Sequence, residues 1–400
     1  MTANDAAPSA PATESVIMEK SQAGSGGIVL GDPVPWFAAP LIGGGAVNLS
    51  VAAGRWIVLS FLGAPASPRA ERELTELFRA SPLFDADHIV FYGILAEPPD
   101  DPAPYLQRTS QAAAFLADYD GAIGRVFGAD AMPRTIVLDP MLRAVANIPW
   151  DHAGGHAETV RNVLQSLPAV DNCAGVPLTA PVLIVPRVFD FVLCDALVEF
   201  YQKIGGKDSG FLLDVEGETT RVVDHRFKRR HDLVVAHPQL REAIRSQIVR
   251  RLVPAIDRFF QFQATRMDRY IVACYDSAVG GHFDRHRDNV NIGAQHRRFA
   301  VTINLNKDYD GCDIVFAEFG RSSYRAPHGG AVVFSCGALH QVTPITRGRR
   351  YAFLAFLYGE ADAALREANN AKLHQSAAHY AVESDRLFLD TAPASERLAI

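Results

Sequence analysis

Residues 167–188, LPAVDNCAGVPLTAPVLIVPRV, place four prolines in a stretch with no hydrophobic period. Proline has no N–H to give to a ladder and clashes with the preceding helical turn, so this segment suits neither a helix nor a central strand. A 400-residue chain broken in this way reads as two domains, at roughly 150 residues each. The boundary falls near residue 175, within a linker over 169–184. Residues 1–28, rich in Ala, Ser, Pro and Gly, read as a disordered tail, and 361–400, Ala-rich with scattered charges, as a helical tail.

The two halves are patterned differently. In 29–168, RWIVLSFLG (55–63), HIVFYGILA (88–96) and TIVLDP (135–140) are apolar, β-branched runs suited to buried strands. ASPRAERELTELFRA (66–80) sets Leu74, Leu77 and Phe78 on one helical face, and TSQAAAFLADYD (109–120) reads as a second helix. Strand–helix alternation implies a small parallel or mixed sheet. In 185–360, helical patterns near 190–204 and 238–262 precede five strand-like runs: 269–276, 298–306, 312–320, 330–336 and 350–359. Short strands punctuated by Gly and Asn suggest a sandwich or barrel packed on helices.

Bulk properties bound the function. The net charge of −6 gives no global basic field, which argues against nucleic acid as a partner. The one basic run, RFKRRH (226–231), reads as a solvated face. Five cysteines, an odd number without a C-x-x-C pair, argue against a disulfide framework and for a reducing, cytoplasmic setting. No apolar run has membrane-spanning length, so no membrane partner is expected.

The chemistry concentrates in GGHFDRHRDN, 281–290, which holds two overlapping His-x-Asp pairs, His282/Asp284 and His286/Asp288. Non-haem iron oxygenases bind Fe(II) through two histidines and one carboxylate, leaving the remaining positions open. Side chains two apart on an extended segment point the same way, so either pair meets that need. His340, just past the apolar run AVVF, is placed to supply the second histidine. Arg350 follows ten residues on, with Ala352, Leu354 and Phe356 on its parity. A buried guanidinium there needs an anion, and a carboxylate suits its fork. Thr302 and Asn304 share a parity opposite to Val301 and Ile303, and either of them, or Tyr275, is placed to hydrogen-bond such a ligand.

These residues together resemble the prolyl-4-hydroxylase-like 2-oxoglutarate/Fe(II) dioxygenases over about 185–360. The family motif places Tyr, then Gly-x-x-Phe-x-x-His-x-Asp, then a distal His and a basic residue about ten later. Tyr275, Gly280, Phe283, His286, Asp288, His340 and Arg350 fill those places, and YDGCDIVF (309–316), PHGGAVVF (327–334) and HQVTPITRGRR (340–350) look like the same family. Val279 and Asp276 precede His282 by three and six, so the rival pair fails the register. The resemblance implies a double-stranded β-helix (jelly-roll) barrel flanked by helices. It implies His286, Asp288 and His340 as ligands of Fe(2+), and Arg350, with Tyr275 or Thr302, as the 2-oxoglutarate contacts. It implies O2 as co-substrate, succinate and CO2 as products, help from L-ascorbate, and hydroxylation of a C–H bond in a protein residue or a small molecule. Asp288 speaks against halogenation, which requires that carboxylate to be missing. The competing class is a non-catalytic metal- and 2-oxoglutarate-binding scaffold.

GDPVPWFAAPLIGGGAVNLSVAAGRWIVLSFLGAPASPRAEREL (31–74) and MPRTIVLD (132–139) resemble a peroxiredoxin, which implies a thioredoxin-like α/β domain over 29–168. Ser67 and Pro68 stand where that family has Thr-Pro, and Ala70 where it has the peroxidatic cysteine. No cysteine occurs in residues 1–172, and a thiol peroxidase needs a thiolate. A thioredoxin-like domain without catalytic Cys is left with docking, packing, or forming a homodimer.

Overall fold

A computed structural model describes residues 27–63, 67–79, 83–130, 132–150, 155–215, 218–373 and 385–388. The expected disordered tail lies outside these up to residue 26, as do residues 64–66, just ahead of Ser67 and Pro68, and most of the expected C-terminal helical tail beyond residue 373. The chain forms two compact units, divided between Pro177 and Leu178.

The first unit is built on a five-stranded mixed sheet in the order Ala113–Ala117, Ile89–Leu95, Trp56–Gly63, Arg134–Leu138, Ala144–Pro149. The first three strands run parallel and the last two antiparallel to their neighbours. Val58, Leu62, Phe91, Leu95 and Val137 pack against Leu74 and Leu77 of helix Pro68–Arg79 and against Val160 and Leu164 of helix His156–Ser166. Ala70 is buried in that layer.

The helix expected over 109–120 is instead the short helix Ala103–Arg108 followed by the strand Ala113–Ala117. Three consecutive alanines favour a helix only weakly, and an open sheet edge beside Phe91–Leu95 overrides them. In the strand, Phe115 is buried above Gly93, where a Cβ would lie 2.5 Å from the Phe115 Cδ1. Burying that ring is worth about 1.5–3 kcal/mol, more than the propensity it overrides.

The second unit is a two-sheet barrel. The larger sheet runs Leu183–Val185, Ala331–Ser335, Phe299–Asn304, Ile345–Tyr358, Arg266–Asp276, His231–Val234, Lys207–Asp208. The smaller runs Lys228–Arg229, His282–His286, His340–Val342, Ile314–Val315, Ser323–Tyr324. All the pairings in both sheets are antiparallel, as in a jelly roll. The period of two sorts the larger sheet's faces. Val301, Ile303, Val333 and Phe353 pack on Leu193 and Leu197 of helix Phe191–Ile204 and on Ile244 and Ile248. Ala300, Thr302, Asn304 and Phe334 have the opposite parity in the Phe299–Asn304 and Ala331–Ser335 strands, and Ala300 and Phe334 join Ile314 and Phe316 in a second cluster.

Three expectations for this unit are revised. The run 312–320 holds only the two-residue strand Ile314–Val315 before a short 3-10 turn. The helix expected over 238–262 divides into Pro238–Gln247 and Val253–Phe260, joined by a π-helical turn just ahead of Pro254, which lacks the N–H a continuous helix needs. The basic run 226–231 is not a solvated face. Its alternation buries Lys228 and Arg230 while leaving Arg226 exposed. Among the described residues, no helix is long and apolar enough to cross a membrane.

Candidate functional site

The strand His282–His286 pairs with His340–Val342, and the register sets His286 opposite His340. Between the pairs Phe283–Val342 and His286–His340 one strand advances three residues and the other two, so a bulge lies between them. In a regular strand, residues three apart face opposite sides. The bulge restores Phe283 and His286 to one side, where their rings stack with centroids 3.5 Å apart. The Phe-x-x-His spacing is thus the local signature of this bulge.

Asp288 lies just past the strand end, where its N–H donates to the Cys336 carbonyl (2.9 Å). Its carboxylate oxygens sit 3.5 Å from His286 Nε2 and 3.4 Å from His340 Nε2. One ligand atom from each of the three residues lies within 4.8 Å of the others. Atoms ~2 Å from a shared first-row ion at right angles lie ~3 Å apart, so a small inward movement closes the set. His286 Nδ1 is 2.7 Å from the Asp284 carbonyl, and His340 Nδ1 3.0 Å from that of Ala338. A carbonyl only accepts, so each Nδ1 carries the proton and each Nε2 presents its lone pair inward. Burial, reinforced by the His286 imidazole, pushes His340 down to about 4, leaving it neutral and able to ligate at pH 7. Burial by itself would raise the Asp288 carboxyl, but His340, His286 and Arg297 outweigh it and hold it well below the usual carboxylate range.

His282 and Asp284 are turned elsewhere. The His282 ring nitrogens meet the Gly280 and Arg226 carbonyls at 2.8 and 3.0 Å, and the exposed Asp284 carboxylate accepts from the Arg285 N–H (2.7 Å). A brace that the sequence reading did not single out lies beneath the ligands. Arg287 donates to Glu318 (2.8 Å) and to the Gly337 carbonyl, and Glu318 accepts the Leu339 N–H (3.0 Å). This pair fixes the turn that delivers His340. Arg287 sits between His286 and Asp288 in the chain, but nothing local marks Glu318 as its partner. Glu318→Gln is expected to lower Fe(II) affinity by about 10- to 100-fold with little change in fold, read by competition with a chromogenic chelator.

Arg350 lies mid-strand in Ile345–Tyr358 and is only 4% exposed. Its Nη2 donates to Thr302 Oγ1 and Asn304 Oδ1, both at 2.9 Å, its Nε to Asn304 Oδ1 (3.1 Å), and its Nη1 to the Cys312 carbonyl (3.2 Å). All these partners are neutral. Among the described residues no carboxylate pairs with it. A buried cation without a counter-charge is costly, and the carboxylate of a bound dicarboxylic acid would remove that cost. The Tyr275 ring lies 5.7 Å from the guanidinium, while its hydroxyl accepts from Arg230 Nη1 (3.3 Å). Thr302 and Asn304 are buried on the inner face. Arg347 and Arg349 form outward ion pairs with Asp310 and Asp276, each at 2.6 Å.

Residues 270–358 match the model of the 2OG-Fe(II) oxygenase superfamily, and residues 30–145 that of the AhpC/TSA family. The chain is 26% identical over 117 residues to a PKHD-type hydroxylase of Synechococcus, covering 26% of this chain and 51% of that protein. It is 36% identical over 88 residues to a PKHD-type hydroxylase of Pseudomonas paraeruginosa, covering 20% and 38%. The chain spans about half the length or less of these curated relatives. A solved prolyl-4-hydroxylase of Pseudomonas putida superposes with a TM-score of 0.36 at 16% identity, covering 47% of this chain and 95% of that one. By these family models the chain joins a region that matches the AhpC/TSA family, in the first unit, to a region that matches the 2OG-Fe(II) oxygenase superfamily, in the second.

Proposed function

We propose that the second unit is a 2-oxoglutarate- and Fe(II)-dependent dioxygenase that hydroxylates a C–H bond in a protein residue or a small molecule, releasing succinate and CO2. The observation that carries this reading is the pairing of a convergent His-Asp-His set with a buried guanidinium that has only neutral partners. The printed descriptions of the relatives, PKHD-type hydroxylases, agree with hydroxylation. In this reading His286, Asp288 and His340 hold Fe(II), and Arg350 takes the far carboxylate of 2-oxoglutarate with Thr302 and Tyr275 beside it. O2 would be the oxidant; bound Fe(II) would activate it, and 2-oxoglutarate, itself oxidised to succinate and CO2, would give two of the electrons O2 takes up while the substrate C–H bond gives the other two.

The chain's own residues orient and enclose. The two Nδ1–H···O=C bonds lock both imidazoles in the ligating tautomer. Phe283 stacks on His286, and the Phe334 ring lies 4.6 Å from that of His340, so apolar rings shield the ligands from water. Asn304 donates to the Ala326 carbonyl (2.6 Å), which fixes the amide oxygen that steers Arg350. All five cysteines are free, which suits a reducing, cytoplasmic setting and makes L-ascorbate a natural reductant for resting iron. The test is 2-oxoglutarate consumption in air. Succinate forms in step with its loss, requires Fe(II), and rises with ascorbate. A protein that binds Fe(II) and 2-oxoglutarate yet yields no succinate with or without added substrates is a scaffold instead.

A further inference from the structure

We infer that the substrate of this site carries an anionic group, carboxylate or phosphate, held by Lys228 and Arg269; this rests on the oxygenase reading above. The basic run 226–231 is the observation that the metal centre leaves unexplained. Lys228 pairs across the ladder with Phe283, the residue stacked on His286. It is 3% exposed, its Nζ donates to the Gly210 carbonyl (2.8 Å), and it lies 4.6 Å from the centre of the Phe283 ring. Neither partner carries a negative charge.

Arg269 comes from the bulge in the strand Arg266–Asp276, between Asp268 and Ile271, where its φ is +65°. A side chain in the left-handed region is strained, and such strain persists where the surroundings demand it. The partly buried guanidinium lies 5.5 Å from the Phe356 ring, on the strand that carries Arg350. It makes no hydrogen bond or ion pair with any other described side chain.

Charge accounting around the centre then leaves an excess. Arg230 is paired with Asp232 (2.7 Å), and Arg297 with Asp268 (3.3 Å) while also donating to the Asp288 carbonyl (3.3 Å). Arg350 is assigned to 2-oxoglutarate and Asp288 to the metal. Lys228 and Arg269 remain without a carboxylate of their own. Burial, with Arg230 and Arg269 close by, outweighs Asp232 and Asp288 and holds the Lys228 amine well below its ordinary range, which is the penalty an incoming anion would relieve. Two basic side chains that no carboxylate contacts directly, one of them over the ring stacked on His286, are unfavourable for folding and favourable for a ligand that brings negative charge.

The experiment uses the full chain loaded with Fe(II) and 2-oxoglutarate under nitrogen. N-acetylglutamate α-methylamide is titrated against N-acetylglutamine α-methylamide, and N-acetyl-O-phosphoserine methylamide against N-acetylserine methylamide. Perturbation of the iron–2-oxoglutarate absorption band and calorimetry report binding. At least one acid is expected to bind saturably about ten times more tightly than its neutral mate, and the two pairs distinguish carboxylate from phosphate. Lys228→Met is expected to keep the band, weaken that acid by about 10- to 100-fold, and raise the thermal midpoint of the unloaded protein because a buried charge is gone. Arg269→Met provides the second variant, with the same loss of preference. Equal binding of acids and neutral mates, or parental acid affinity in both variants, overturns this inference while the band stands. Absence of the band in the parent overturns the oxygenase reading and this inference with it.

Discussion

His286→Ala removes the visible band of the anaerobic iron–2-oxoglutarate complex, whereas His282→Ala retains it. The two histidines are four apart in one strand, and both are followed two residues on by an aspartate. Only His286 faces His340 and Asp288, and only its Nε2 is free, because both His282 nitrogens are engaged with carbonyls. Losing a ligand from a three-residue set should cost more than about a hundredfold in iron affinity, the upper end of the loss on removing an outer partner. His282→Ala removes two exposed contacts and should leave affinity within about twofold, since surface changes of this kind are worth about 0.5 kcal/mol or less. A band that survives His286→Ala, or is lost with His282→Ala, would show that the rival pair holds the metal.

Arg350→Met should weaken 2-oxoglutarate binding strongly while leaving iron affinity near the parent value. Truncating one partner of a buried, hydrogen-bonded charge pair costs about 2–5 kcal/mol, which corresponds to about 30- to 5000-fold in Kd. The readout is thermal stabilisation by 2-oxoglutarate with Mn(II) in place of iron. At a concentration of ~100 Kd the parent gains about 2.7 kcal/mol, and the variant gains about 0.9 kcal/mol or less. Arg350→Lys keeps the charge but loses the planar fork that Thr302 and Asn304 orient, so it should fall between the two. Unchanged stabilisation in Arg350→Met would place the dicarboxylate elsewhere in the barrel.

Much of this site was legible in the chain because strand geometry is local. The parity that groups Arg350 with Ala352 and Leu354, or Thr302 with Asn304, follows from a side-chain period of two and needs no knowledge of the partner strand. The His-x-Asp pairs and a distal His340 just past an apolar run were likewise visible in the chain, and the family resemblance chose between the pairs. The proline-rich break marked two domains on its own, because proline fails in helix and ladder alike.

Other features depended on which strand lies beside which. The alanines of 113–117 became a strand because a sheet edge was open beside Phe91–Leu95 and Gly93 left room for Phe115. Lys228 and Arg230 turned inward because the run 226–231 pairs with Phe283 and Cys274, and composition alone does not distinguish a basic strand edge from a basic surface. Glu318 reached Arg287 across thirty-one residues of chain. Local spacing determined which residues can act together, and the sheet partners decided which way each of them faces. A side chain's chemistry is its own, whereas its burial and counter-charges belong to distant neighbours.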